Sequence, residues 1–562
     1  MAHVQPEIST SAPETTTKPI ALGQYEVWLW TLAMLLVCLL ADRGVGGKLF
    51  NDSYQYLSMA YNLRTHGEIA TSIIEFDTER SKERIPAPAT TVAPGYPIAI
   101  RVFELTSISP EKAGLLVSIA GMTAVIPFLW LSSGLMGATR NMQRAAVLIW
   151  GINTEVVTYA TSVLSEGLFI FFLFGGVTLL IYYLKTGEGN REIALPLGMA
   201  SFALSYCVRY AGLLAIAALV VYVAWRIVFR RERTALWLSS LAGCFAIVSF
   251  GMMRNEVISG TWRGGNDLIV HTPIAKVLHD TASIGYHLLL GPSRHIGLSA
   301  MIAAVSAVAL FFLLRANSKQ IASWIWSDTV VLLLLLVGAY VAGMIYLGMT
   351  TMIIYNFSTR YFLPILPVVI LLGTATAALA WPTYPDVRRR RAAAVLAAVA
   401  LIAYTGLNIR GIQMYDYRPQ HLTMAAYYIE PTQDGTTLLA WVEKNIPAES
   451  VVLATDGQAS AYAIKRPTIS LVSPRMSHGT WDENEVRRTM ATFHSRYLIT
   501  YPGISDDVAP EQRESPFINS LLQGKNPSWL VRAAYNSHVS IFENKEFEQA
   551  GGAEAQEQFK SK

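Results

Sequence analysis

Eleven apolar runs, each near the 17–25 residues that cross a hydrocarbon core, most constrain what this chain can become. They fall near 25–42, 112–137, 144–161, 165–184, 193–208, 211–228, 234–253, 296–315, 328–348, 361–382 and 391–409. In lipid, each such run has to satisfy its backbone polar groups internally, so the runs predict membrane helices packed as a polytopic bundle. The bulk numbers agree. The 562 residues are 52% hydrophobic and only 15% charged, with a mean hydropathy of +0.35, unlike a soluble enzyme. A dispersed net charge of +4 leaves no nucleic-acid footprint. Cys38, Cys207 and Cys244 each lie in an apolar segment, so they read as small core hydrophobes and not as a disulfide frame or metal cluster.

Orientation follows from basic residues in short loops. Arg140 and Arg144, Lys185 and Arg191, Arg226 to Arg233, Arg315 and Lys319, and Arg388 to Arg391 fall on one side of an eleven-span model. That side is expected to be the cytoplasm of a bacterial plasma or inner membrane, with residues 1–24 as a disordered Ser/Thr/Pro-rich N-terminus beside an uncleaved anchor. Residues 25–410 then form the membrane domain. The loop 43–111, the loop 254–295 and everything beyond 410 face outward.

After a linker, 411–431, residues 432–562 read as a separate extracytoplasmic α/β domain. Segment 436–445 has the pattern of an amphipathic helix, and Val451-Val452-Leu453-Ala454 that of a buried strand. Further strands are expected at 497–500, 529–534 and 538–542, and helices at 457–464 and 483–492. Their alternation predicts a small layered domain. It carries no Gly-rich phosphate loop.

Charged side chains at a bilayer edge are costly unless solvated or used. Asn51-Asp52-Ser53-Tyr54-Gln55-Tyr56-Leu57 follows the first span, continues through Ala60-Tyr61-Asn62-Leu63 and His66-Gly67, and leads to Pro94-Gly95-Tyr96-Pro97. Read locally, Asp52-Ser53-Tyr54-Gln55 fits a capping box with Asp52 at the N-cap, His66-Gly67 fits a helix end, and Pro94–Pro97 fits a turn. Glu166 opens a span at an outer turn, as a solvated charge favoured by the helix dipole or as an active group. Arg209-Tyr210 and Arg360-Tyr361-Phe362-Leu363-Pro364 sit at outer turns. There arginine serves either as a snorkelling anchor or as a planar fork for phosphate. Asp267, His271 and Asp280 match no ligand spacing and read as a solvated loop.

This order of residues resembles the first external loop of the GT-C glycosyltransferases, polytopic enzymes that use polyprenyl-phosphate sugars. The nearest branch in appearance holds the protein mannosyltransferases and the lipid A aminoarabinose transferase. The resemblance implies a GT-C-type bundle of about eleven transmembrane helices carrying the C-terminal α/β domain. It makes Asp52 the catalytic carboxylate, the candidate base, and Glu166 a second active-site carboxylate, with Arg360 on the donor phosphate. Arg209, at a similar outer turn, is a further candidate for that phosphate. Tyr54, Tyr56, His66, Tyr96, Tyr210 and Tyr361 become candidates to line the substrate. Ser53 stands where many members carry a second acidic residue.

The implied partners are a polyprenyl-phosphate-linked sugar donor, a glycan, lipid or protein acceptor, and membrane lipids. No cofactor or metal ligand set is identified, and a divalent-metal requirement is left open. Transfer needs a base for the acceptor hydroxyl and cations for the leaving phosphate. A single displacement inverts the anomeric centre. Two other classes compete with this reading. A transporter or lipid-linked sugar flippase would show internal repeats and paired broken helices. A non-catalytic envelope-assembly scaffold would not need acidic and basic groups together at the outer edge.

Overall fold

The computed structural model describes residues 21–43, 47–75, 81, 83–186, 191–264, 271–290, 323–351, 358–380, 387–414, 427–471, 480–500 and 515–547. The run near 296–315, Asp267, the first twenty residues and most of the linker lie outside them. Among the described residues, eight helices are long and apolar enough to cross a membrane.

The chain enters through α1 (Ala21–Asp42) and turns into α2 (Asn51–Thr65), which lies outside the spans. Short strands β1 (Ala70–Thr71), β2 (Ile73–Ile74) and β3 (Ala87–Pro88) follow. Then come α3 (Gly95–Glu104), α4 (Pro110–Thr123) and α5 (Val125–Leu135), the last two forming one long crossing. Residues 94–97 therefore begin a helix and do not close a turn. Gly95 allows this, because a Cβ there would stand 2.7 Å from the Cys207 carbonyl.

The run near 144–161 is not one helix. It divides into α6 (Arg140–Gly151) and α7 (Thr154–Ala160), and Asn153 satisfies the break. Its Oδ1 accepts from the Glu155 and Val156 amides at 3.0 and 3.2 Å. Its Nδ2 donates to the Leu288 carbonyl and the Tyr404 hydroxyl at 2.8 and 2.9 Å. Irregular backbone at this depth persists because protein, not lipid, surrounds it.

Helices α8 (Glu166–Lys185), α9 (Arg191–Val208), α10 (Gly212–Phe229) and α11 (Thr234–Ser259) run back and forth, α9 carrying Pro196. The expected solvated loop near 280 is instead α12 (Ile274–Leu290), an amphipathic helix against the bundle. The remaining membrane helices are α13 (Asp328–Thr350), the single turn α14 (Thr359–Phe362), α15 (Leu366–Ala380) and α16 (Val387–Met414).

Alternating directions gather Asp52, Glu166, Arg209 and Arg360 at one end of the bundle. Among the described residues, basic side chains gather at the other, held by ion pairs between Arg144 and Glu26, Arg233 and Glu192, and Asp328 with both Arg226 and Arg230.

Beyond the membrane part come α17 (Leu438–Asn445), β4 (Val452–Ala454), α18 (Gly457–Ile464), β5 (Thr468–Ser470), α19 (Glu483–Thr492), β6 (Tyr497–Thr500), α20 (Pro516–Leu522), β7 (Leu530–Tyr535) and β8 (Ser540–Asn544). The six-stranded sheet has the order β2-β5-β4-β6-β8-β7. Its first four strands are parallel, and β8 and β7 close it antiparallel. Alternation along β4 explains the layering. Leu453 points to Val486, Met490 and Ile518, while Val452 and Ala454 point to Leu438, Val442 and Ile464.

The edge strand β2 comes from the first external loop, not from the tail. Ile73 pairs with Thr468 and Ile74 with Ile469. A two-residue strand carries almost no sequence signal, so the composition of the sheet appears only in the folded chain.

Candidate active site

Helix α2 begins one residue before Asp52. Phe50 is the N-cap, and the Ser53 hydroxyl accepts from its amide at 2.9 Å. Asp52 is therefore not the cap that local sequence suggested. Ser53 takes the reciprocal capping role, and the Asp52 carboxylate is free to turn into the bundle.

Glu166 opens α8 with its side chain fully buried. Close backbone packing sets its position. A Cβ on Gly121 would lie 2.4 Å from Gly167, and one on Gly167 would lie 2.4 Å from the Ser118 carbonyl. The two glycines let α4 and α8 touch through backbone, the usual device of membrane helix contacts.

Arg360, in the single turn α14, joins the two carboxylates. Its Nε donates to Glu166 Oε1 at 2.9 Å, and its Nη2 donates to Asp52 Oδ2. Arg209, in the turn between α9 and α10, donates to the same Glu166 oxygen and to the Ser165 hydroxyl, the latter at 3.1 Å. The side chains of Asp52, Arg209 and Arg360 are 36, 15 and 16% exposed, so the group opens to the outside above a closed floor. Glu166 Oε2 is buried with no hydrogen-bond partner among the described residues.

Desolvation raises the Asp52 carboxyl. The charge and hydrogen bond of Arg360, with the charge of Arg209 behind them, outweigh that effect and hold it below its ordinary value. As found, Asp52 is an ion-paired carboxylate. Two carboxylates and two guanidinium groups balance in charge, an arrangement a buried site tolerates far better than any unpaired member.

The tyrosines divide. The Tyr56 hydroxyl bonds Ser165 Oγ at 2.8 Å, one shell beneath the ionic group, and its ring meets Tyr96 edge-on at 5.0 Å. Tyr96 is buried, donating to the Gly114 carbonyl and bonded to Ser118, both at 2.8 Å. Tyr361 lies under the Arg360 guanidinium. Tyr54 points away from the arginines to pack on Tyr462 of the tail. The Tyr210 hydroxyl donates to the Thr90 carbonyl at 2.8 Å, tying the first external loop to the bundle. His66 lies about 20 Å along α2 from Asp52 at 1.5 Å per residue. It is exposed and ends the helix before Gly67, whose φ is +70°.

Sequence reasoning missed several neighbours. A cavity of 340 Å³ beside Arg360 is lined by Asp280, Ser283, Ile284, His287, Ser358 and Thr359. Glu155 accepts from Thr359 at its edge. Asp280 and His287 are seven apart on α12, a spacing that places them on one helix face. Among the described residues, no three His, Cys, Asp or Glu side chains converge to hold a metal ion.

No family model and no curated protein matches this sequence. Solved structures do match the fold. The aminoarabinose-transferase structure ArnT from Cupriavidus metallidurans in the apo state aligns with a TM-score of 0.58 at 12% identity, over 94% of this chain and 99% of that one. The same protein bound to undecaprenyl phosphate aligns at 0.54 and 12% identity, over 92% and 98%. The oligosaccharyltransferase AglB from Archaeoglobus fulgidus, in complex with an inhibitory peptide and a dolichol-phosphate, aligns at 0.51 and 13% identity, over 84% and 69%. These are GT-C glycosyltransferases. This chain has the GT-C fold, a polytopic membrane bundle with an added α/β domain.

Proposed function

We propose that this protein is a membrane glycosyltransferase that moves one sugar from a polyprenyl-phosphate carrier to an acceptor on the outer face of the membrane. The convergence of Arg209 and Arg360 on Asp52 and Glu166 at one end of the spans carries the proposal. The fold adds support, since one similar structure holds undecaprenyl phosphate and another a dolichol-phosphate.

The ionic group suits such a transfer. A glycosyl phosphate brings one negative charge and leaves with two. On arrival, it competes for the arginine forks, which bind two oxygens at once. Losing Arg360 frees Asp52 to take the acceptor proton. The acceptor O–H bond breaks, its oxygen bonds the anomeric carbon, and the bond from that carbon to the phosphate oxygen breaks with the electron pair going to phosphate. The carboxylate loses its charge as the phosphate gains one, and the arginines stabilise the charge where it develops. Attack opposite the leaving group inverts the anomeric centre. Glu166 stays charged and keeps both arginines in place.

The test uses the full-length protein in lipid vesicles with a panel of undecaprenyl-phosphate-linked pentoses and hexoses. Released undecaprenyl phosphate is measured, with water or added glycan as acceptor. Release with one donor is expected, reduced at least about a hundredfold in Asp52→Asn with normal folding. Passage of an intact donor across the vesicle without release would establish a flippase instead.

A further inference from the structure

A second polar cluster lies where the first external loop meets the tail. Side chains along one strip of α2 lace onto the segment 70–75. Asn62 Nδ2 donates to the Ala70 carbonyl and Ser72 Oγ at 3.2 and 3.0 Å. Ser58 Oγ accepts from the Ser72 amide at 2.8 Å. Gln55 accepts from Thr71 Oγ1 at 2.8 Å and donates to the Ile73 carbonyl at 3.3 Å. The segment thus runs back along the helix toward Asp52, and its next residue is Glu75.

From the tail, Gln458 in the first turn of α18 faces Glu75, as Gln55 does from α2. Gln458 is only 3% exposed, yet its Oε1 has no hydrogen-bond partner among the described residues. Asp456 caps α18, accepting from the Ala459 amide at 3.2 Å. The place has a topological meaning. Strand β4 sits between β5 and β6. The chain leaves β4 for β5 on one side, and the next crossover returns from β5 past β4 to β6 on the other, so the winding reverses at β4, and Asp456 follows its carboxyl end. Open α/β sheets bind ligands beyond the carboxyl ends of their strands at such a reversal. Here that edge faces α2, with Tyr462 of α18 against Tyr54.

We infer that this seam is the acceptor subsite, and that Glu75 and Gln458 together read a hydroxyl group of an uncharged, hydroxyl-rich acceptor. The inference rests on the transferase reading above and assigns it the acceptor side. Glu75 faces Asp52 from α2 and Asp456 from the tail, with the two glutamines between and Tyr54 and Tyr462 alongside. Desolvation first, then the charge of Asp52, with Asp456 adding to it, pushes its carboxyl up to about 8, against the pull of the two amides. At neutral pH it is a neutral acid that both donates and accepts. The open Gln458 oxygen supplies a further acceptor. Above pH 8 it becomes a third carboxylate in the seam and loses its donor.

The test measures, in source-cell membranes carrying the full-length protein, the ratio of label transferred to membrane glycan to label released as free sugar. The probe is the radiolabelled undecaprenyl-phosphate sugar that the donor panel identifies. The wild-type ratio is expected to fall about tenfold between pH 7 and 9, as the neutral fraction of a group titrating near 8 falls. Glu75→Gln, which mimics the neutral acid, is expected to flatten this dependence. Glu75→Ala and Gln458→Ala are expected to lower the ratio at pH 7 about tenfold, the effect of one lost hydrogen bond. A pH-independent wild-type ratio, an unaltered ratio in both alanine variants, or complete loss of transfer in Glu75→Gln would overturn the acceptor role, the last by making Glu75 a base. Absence of both transfer and release with every donor would instead overturn the transferase reading.

Discussion

Arg360 touches both carboxylates through different nitrogens, Nε to Glu166 and Nη2 to Asp52. Only a planar fork spans two acids in this way, and the same geometry later suits phosphate. Arg360→Ala is expected to reduce donor consumption more than Arg360→Lys, because lysine keeps charge but loses the fork. Steady-state release of undecaprenyl phosphate measures the difference. Equal activity of Arg360→Ala and wild type would leave this residue a headgroup anchor. Glu75 gives a second expectation, with its sign set by linkage. Its folded value of about 8 lies above the ordinary 4.5. The folded state therefore holds this proton more tightly, and the associated stability is present below 4.5 and lost as pH rises through 8. Glu75→Gln removes that loss. The midpoint of thermal unfolding should favour the variant over wild type more at pH 8.5 than at pH 5. An offset equal at the two pH values would contradict this. At this scale Asp52, Glu166, Arg209 and Arg360 were legible, because charged groups at span ends are conspicuous against apolar sequence. Glu75 and Gln458 were not, since each lies in unremarkable loop or helix sequence and matters only through its neighbour.

Elements set these side chains in place through backbone contact. Gly121 and Gly167 allow α4 to lie directly on α8, and Glu166 precedes Gly167. Gly121→Ala would place a methyl group 2.4 Å from the Gly167 backbone, so one helix must move. The expected result is a protein that still inserts and folds but loses activity at least about tenfold, since a shift near 1 Å at reacting groups costs more than that. Activity and unfolding measured on the same preparation check it. Unchanged turnover would show that the helices separate without disturbing Glu166. The apolar runs predicted most spans because lipid demands length and apolarity of each helix by itself. They failed near 144–161, where Asn153 breaks the helix and its bonds to Leu288 and Tyr404 come from distant elements. They also gave no sign of α12, whose polar face interrupts the apolar pattern that marks a span.

The whole molecule places the tail at the same end of the bundle as Asp52. The proposed reading puts that end outside the cytoplasm and the basic residues of the opposite end on the cytoplasmic side. A reporter fused after Lys562 is expected outside the cytoplasm. A cytoplasmic reporter would separate the site from its donor and overturn the proposed reaction. The tail and the membrane part also share structure. Ile74 and Ala87 of the first loop pack in the sheet core with Leu453 and Ile469, and Tyr54 packs on Tyr462. The boundary near 432 thus marks a change of composition, while the sheet crosses it.

The sequence by itself determined the membrane bundle, most of its helices and the α/β character of the tail, and it marked out the four charged residues that the structure brings together. Each is written locally, in runs of apolarity, in period-two or helical patterning, or in a charge beside a span. Tertiary structure alone decided that Arg360 bridges Asp52 to Glu166, that Ser53 and not Asp52 takes the capping role, that β2 completes the tail's sheet, and that Glu75 meets Gln458. Those pairings join residues far apart in the chain. Their free energy comes from shared burial and mutual hydrogen bonding, which no local pattern records.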